Sequence, residues 1–158
     1  MRVPIAAAFA LIVAPSLEAQ TAVPAPAVAQ DLSTATPVAG SWVYAQTAVG
    51  SEASFVNASA LPQLTIRCTR ATRRVTVARP ASGAAPFLNV WTSAQTRNLA
   101  ASFNPATQQI SADVAPFDPL LDAMAFSRGR FGVSVSGAPA LVVPAWAEVA
   151  RVIEDCRV

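Results

Sequence analysis

The sequence predicts an α+β domain: an antiparallel β-sandwich-like core with a short helix and a C-terminal helix packed on it, closed by one disulfide. Between residues 41 and 115, apolar side chains alternate in short runs that turn signals interrupt about every ten residues. From residue 118 the apolar spacing becomes helical in two places, Leu120–Ala125 and Trp146–Cys156. Cys68 and Cys156 are the chain's two cysteines, and each falls on an inward position of its element.

The elements follow in order. Residues 1–19 carry the three parts of a secretory signal peptide: Arg2, the apolar run Ile5–Ala14, and small Ala19 as the last residue before cleavage. Residues 20–40 mix Pro24, Pro26 and Pro37 with Ala, Thr and Gln, without periodicity, and are expected to be a disordered Pro/Ala-rich linker. The folded domain is therefore expected over residues 41–158. Trp42 and Tyr44 mark a first strand, Val49-Gly50-Ser51 a turn, and Ala53 and Phe55 a second strand. Leu64, Ile66 and Cys68 share one face of a third strand over 62–69, with Arg67 on the other. Val75 and Val77 mark a fourth strand, and Leu88, Val90 and Thr92 a fifth. Two more strands are expected over 96–103 and 108–115, around the turn pair Asn104-Pro105.

Asp118-Pro119 reads as an N-cap followed by proline in the first helical turn, with Leu120, Leu121, Met124 and Ala125 as the apolar face and Gly129 as the stop. Phe131, Val133 and Val135 alternate in a further strand, Gly137 turns the chain, and Leu141–Val143 pairs back. Pro144 opens a final helix that places Trp146, Val149, Ile153 and Cys156 on one side.

Composition restricts the chemistry. All eleven basic residues are arginine, and the formal charge is +2. Without histidine the chain has no Ser-His-Asp triad, no Cys-His pair and no imidazole ligand for zinc. Without lysine it forms no Schiff base and carries no P-loop lysine. The weak net charge argues against nucleic acid as a partner, and no run beyond the N-terminal one approaches the roughly 20 apolar residues that span a bilayer. No cofactor is expected, and the chain reads as a non-enzyme.

In an exported chain two inward cysteines, far apart in sequence, point to a structural Cys68–Cys156 bond rather than a redox pair, which favours close spacing such as C-x-x-C. Two arginine groups are candidate anion- or partner-binding residues. Arg67, Arg73 and Arg74, the candidates of the first group, flank the third and fourth strands together with Arg70 and Arg79, where the bland reading is a solvated stripe that protects a sheet edge. Arg79 is expected to face solvent in the same stripe. Arg128 and Arg130 surround Gly129, where the bland reading is a helix C-cap. Asp118 and Asp122 lie one helical turn apart, but Asp118 is already explained as a cap. The three tryptophans read as packing residues.

Gly40-Ser41-Trp42, Leu64-Thr65-Ile66-Arg67-Cys68 and the last helix ending in Cys156 together resemble the exported type VI secretion accessory family called VasI or TagO. The segment 118–130 and the ending Arg151–Arg157 look more like small exported proteins of alphaproteobacteria. The resemblance implies the same layout, the Cys68–Cys156 bond and an accessory role in the cell envelope, with no catalytic residue. The expected function is a non-catalytic, periplasmic or secreted binding module of the bacterial envelope acting on an envelope or secreted protein. The alternative is an exported inhibitor of a protease or lysozyme, using the loop near 80–86 or 104–108.

Overall fold

The computed structural model of the chain describes residues 32–158. The expected signal peptide lies outside the described residues, as does the first part of the expected linker. The described chain forms two antiparallel sheets and two helices, the α+β sandwich that the alternation predicts. Strands β1 (Ser41–Thr47), β2 (Gly50–Val56), β3 (Pro62–Thr69) and β4 (Arg74–Pro80) follow one another as hairpins in the first sheet. The chain then crosses to the second sheet for β5 (Phe87–Trp91) and β6 (Thr96–Ala100). It returns to the first for β7 (Ser102–Asn104) and β8 (Gln109–Val114). After α1 (Pro119–Ala125), β9 (Phe131–Val135) and β10 (Leu141–Val143) complete the second sheet, and α2 (Ala147–Asp155) closes the fold. The sheet orders are β1-β2-β3-β4-β8-β7 and β10-β9-β5-β6.

Alternation sorts the faces. In the first sheet the register lines up Trp42, Phe55 and Leu64, then Tyr44, Ala53, Ile66, Val77 and Ala112, on the inner side. In the second, Leu88, Val90, Val133 and Val135 face inward and are buried. Phe131 of β9 stacks on Trp42 with centroids 6.2 Å apart, and Phe55 meets the same indole edge-on at 5.4 Å, so one aromatic cluster joins the sheets. Helix α2 packs on β1, β2 and β3 and against α1, burying Val149, Val152 and Ile153. The Trp42 indole donates to the Pro144 carbonyl at 2.8 Å, and the Tyr44 hydroxyl donates to Asp155 Oδ2 at 2.7 Å. The Cys68–Cys156 disulfide ties the middle of the first sheet to the end of this helix.

Several expectations change. The run 96–103 is two strands in different sheets, divided at Ala101, whose amide bonds Pro86 O. The first turn is Ala48-Val49, because Thr47 pairs directly with Gly50. Helix α2 begins at Ala147 rather than Pro144. Trp146 is its extended N-cap and leaves 46 % of its surface exposed instead of joining the buried side.

The expected linker over 20–40 is docked where it is described. Leu32 is buried, Val38 donates its amide to Val142 O at 2.9 Å, and Ala35 O accepts from Arg130. Gly132 makes room for this, since a Cβ there would overlap Leu32 Cδ1. The folded unit thus includes residues 32–40, because one leucine and the backbone suffice to cover the outer side of β9 and β10.

Candidate functional site

The β3–β4 turn runs Arg70-Ala71-Thr72-Arg73, and Arg74 opens β4 opposite Thr69. The turn is held by main-chain bonds: Arg70 N donates to Val49 O at 2.9 Å, and Arg73 adopts the left-handed conformation with φ 49°. With the backbone so fixed, Arg70, Arg73 and Arg74 are all exposed. Arg73 donates to the Arg157 carbonyl at 2.7 Å, next to the disulfide. None of the three forms an ion pair among the described residues, whose ion pairs belong to Arg67, Arg97 and Arg157.

Arg67 differs. It lies opposite Glu52 across β2–β3 and binds its carboxylate through Nε at 2.7 Å and Nη2 at 2.6 Å. Both nitrogens meet the one oxygen Oε2, and this charge-assisted pair uses the guanidinium locally, so Arg67 belongs to a cross-strand ladder on the outer face. Thr76 and Asp113 continue the ladder at 2.6 Å. The edge-protection reading also fails here, because β3 and β4 are interior strands of the first sheet.

Arg128 and Arg130 are not C-cap residues. Helix α1 ends at Ala125 with Phe126 as cap and has no basic residue in its last turn. Gly129, at φ 74°, turns the chain after the helix has ended. The turn is fastened by the buried Ser127 hydroxyl, which accepts Ser93 N at 2.9 Å and donates to Arg130 O. Ser93 Oγ in turn accepts Arg128 N at 3.0 Å. Arg130 is spent on Ala35 O, and the Arg128 side chain remains exposed. The two arginine groups stand at opposite ends of α2: Arg157 follows its C-terminal end, and Ala145, before its N-terminal end, bonds Gly129 O. The nine-residue helix between those two anchor points is itself roughly 13 Å long.

Neither family models nor curated proteins nor solved structures match this chain.

The carboxylates over 118–122 are engaged. Asp118 caps α1 through Leu120 N at 2.9 Å and pairs with Arg97, while Asp122 binds Arg157 at 2.8 Å. The loop over 104–108 is tightened by Asn104 Oδ1 accepting Ala106 N and by Gln108 bonding Pro105 O, both at 2.9 Å. In the 80–86 loop, Ala81–Ala84 forms one wall of a pocket whose other wall is Val135–Ala138. No helix among the described residues is long and apolar enough to cross a membrane.

Two arginines escaped the sequence reading as site residues. Arg70 sits in the same turn as Arg73. Arg79, expected in solvent, lies on the inner side of β4, as the spacing from Val75 and Val77 signals. Its Nη1 donates to Val133 O at 3.0 Å and Pro139 O at 3.1 Å.

Proposed function

We propose that the domain is a non-catalytic, exported binding module of the bacterial cell envelope, and that it engages an acidic protein partner through the β3–β4 turn. The carrying observation is that Arg70, Arg73 and Arg74 are exposed within five residues on a main-chain-fixed turn, with no carboxylate among the described residues forming an ion pair with any of them. Such an arrangement keeps its charge available, and exposed charges of one sign act chiefly on encounter rate and partner choice. The disulfide agrees with an oxidising compartment.

The test is capture from periplasmic extract on the immobilised domain, comparing the native protein with the Arg70→Ala/Arg73→Ala/Arg74→Ala variant and an Arg128→Ala control. The expected result is a retained acidic protein that binds the control normally. It should bind the triple variant at least about tenfold more slowly and be released by salt as screening shortens. Equal retention by the triple variant, with native melting behaviour, rejects the turn as the contact; a retained set that ignores salt rejects the electrostatic basis.

A further inference from the structure

The two sheets are open, and the described chain finishes their edges differently. An edge strand offers unpaired N–H and C=O groups, which folds blunt with short strands, inward charges or a covering segment. Strand β7 spans three residues, and β10, also three, has its Val142 carbonyl taken by the Val38 amide. Strand β6 carries Arg97 opposite inward-facing Val90, and its guanidinium binds Asp118. Strand β1 has none of these devices. Its residues Ser41–Thr47 include no charge and no proline, and they pair with β2 in one unbroken register. Among the described residues, no main-chain bond joins β1 to any element but β2.

The turn fixes where the free groups point. The connection Ala48-Val49 closes on the pair Thr47/Gly50, which a tight hairpin hydrogen-bonds, and main-chain groups alternate sides along a strand. The N–H and C=O of Trp42, Tyr44 and Gln46 therefore point away from β2, along an edge about 24 Å long. The outer side of the strand is apolar and open: Val43 is 52 % exposed, and Ala45 is exposed as well. Glu52, opposite Ala45 on β2, is occupied by Arg67. On the inner side Tyr44 meets one charge of each sign, with the Arg151 guanidinium 3.9 Å over its ring and Asp155 accepting its hydroxyl.

We propose that β1 pairs with β1 of a second copy of this chain, antiparallel about a two-fold axis at Tyr44, so that two first sheets merge into one continuous sheet. In that register Tyr44 meets Tyr44 of the second copy, Trp42 meets Gln46, Val43 meets Ala45, and Ser41 meets Thr47. No strand residue then stands opposite a like charge, and the patch is complementary to itself, as a two-fold contact requires. The exposed valine is covered by a small apolar neighbour. A strand made for a charged segment of another protein would carry the complementary charge, and β1 carries none. The contact consists mainly of main-chain bonds at Trp42, Tyr44 and Gln46, so the dimer is a weak one at the small end of specific interfaces. It does not depend on the role of the Arg70–Arg74 turn.

The experiment measures sedimentation of the protein as the cell processes it and, at the same concentrations, exchange of the Trp42, Tyr44 and Gln46 amides by NMR. A monomer–dimer equilibrium is expected, with those amides slowed at least about tenfold at high concentration only. Val43→Lys and Ala45→Glu should each weaken the dimer by about tenfold or more while keeping the native melting temperature, since both positions are exposed on an edge. An equimolar mixture of the two variants should recover the dimer, because the new lysine of one chain then faces the new glutamate of the other. A monomer at every concentration up to about 1 mM overturns the proposal. So do amides protected equally at all concentrations, which would mean that the chain's own N-terminal segment covers the edge. A dimer that both variants leave intact places the contact elsewhere, and variants that fail to recover in the mixture reject the register at Tyr44.

Discussion

The Asp118 carboxylate serves two partners at once: its Oδ1 accepts the Leu120 amide at 2.9 Å and the Arg97 guanidinium. The cap satisfies an amide that a short helix otherwise leaves open, and removal of such caps costs about 0.5 to 2 kcal/mol. Arg97 and Asp118 keep 39 % and 20 % of their side chains exposed, so the ion pair is partly screened and contributes less. Asp118→Ala should therefore destabilise the domain by about 1 to 2 kcal/mol in urea unfolding. Asp118→Asn, whose amide oxygen still caps, should cost less than half of that. Equal losses in the two variants would assign the effect to Arg97 instead. The cap was legible because it acts over two residues. Its arginine partner was not, since only the fold brings β6 to the start of α1. Arg79 shows the converse: the two-residue spacing from Val75 and Val77 points it inward, while its charge argues for solvent. The structure satisfies both at the end of the sandwich, where the guanidinium reaches carbonyls.

Strands were legible wherever alternation and turn residues agreed, as along β2, β3, β4 and β9. They were not legible where the chain changes sheets. Leu99 pairs with Leu88 and Phe103 with Ile110, four residues apart and both apolar, so the alternation carries straight through Ala101 while the pairing partner changes. The docked segment 32–38 was missed because its anchors, the Leu32 side chain, the Val38 amide bond to Val142 and the Arg130 bond to the Ala35 carbonyl, leave no periodic trace. Gly132 tests that docking. A methyl there would meet the flexible end of Leu32 rather than backbone, so the leucine can move while the β5–β9–β10 ladder stays. Gly132→Ala should cost no more than about 1 kcal/mol of global stability while speeding Val38 amide exchange about tenfold, as a locally opened segment does. Gly50→Ala is the contrast. Its Cβ would overlap the Cys68 carbonyl, which is backbone and cannot swing aside, so a loss of about 1 to 3 kcal/mol is expected. Comparable melting temperatures for the two variants would remove the distinction between a side-chain and a backbone obstacle.

At the scale of the whole molecule, the disulfide decides how firmly α2 belongs to the sandwich. Cys68 stands on β3 in the interior of the first sheet and Cys156 caps α2, with Cα atoms 5.4 Å apart at a sequence separation of 88. Closing a loop of that length lowers the entropy of the unfolded chain by roughly 4 to 5 kcal/mol in the chain-entropy model, a large share of a small domain's net stability. Helix α2 is also held by buried Val149, Val152 and Ile153 and by the Tyr44–Asp155 bond. These contacts are few compared with the continuous ladders of the two sheets. The Cys68→Ala/Cys156→Ala variant should lose about 3 to 5 kcal/mol in urea unfolding, and it should lose it unevenly. Amides of Val149–Ile153 are expected to exchange through a partial opening in which α2 lifts from β1–β3, while Ile66 and Val77, in the interior strands, exchange only on global unfolding. The same helix carries Arg157, whose carbonyl holds Arg73, so its release would loosen the basic turn as well. If the α2 amides and the interior strands open together at one free energy in the variant, the helix is integral to the core. The bond would then add stability without governing the turn.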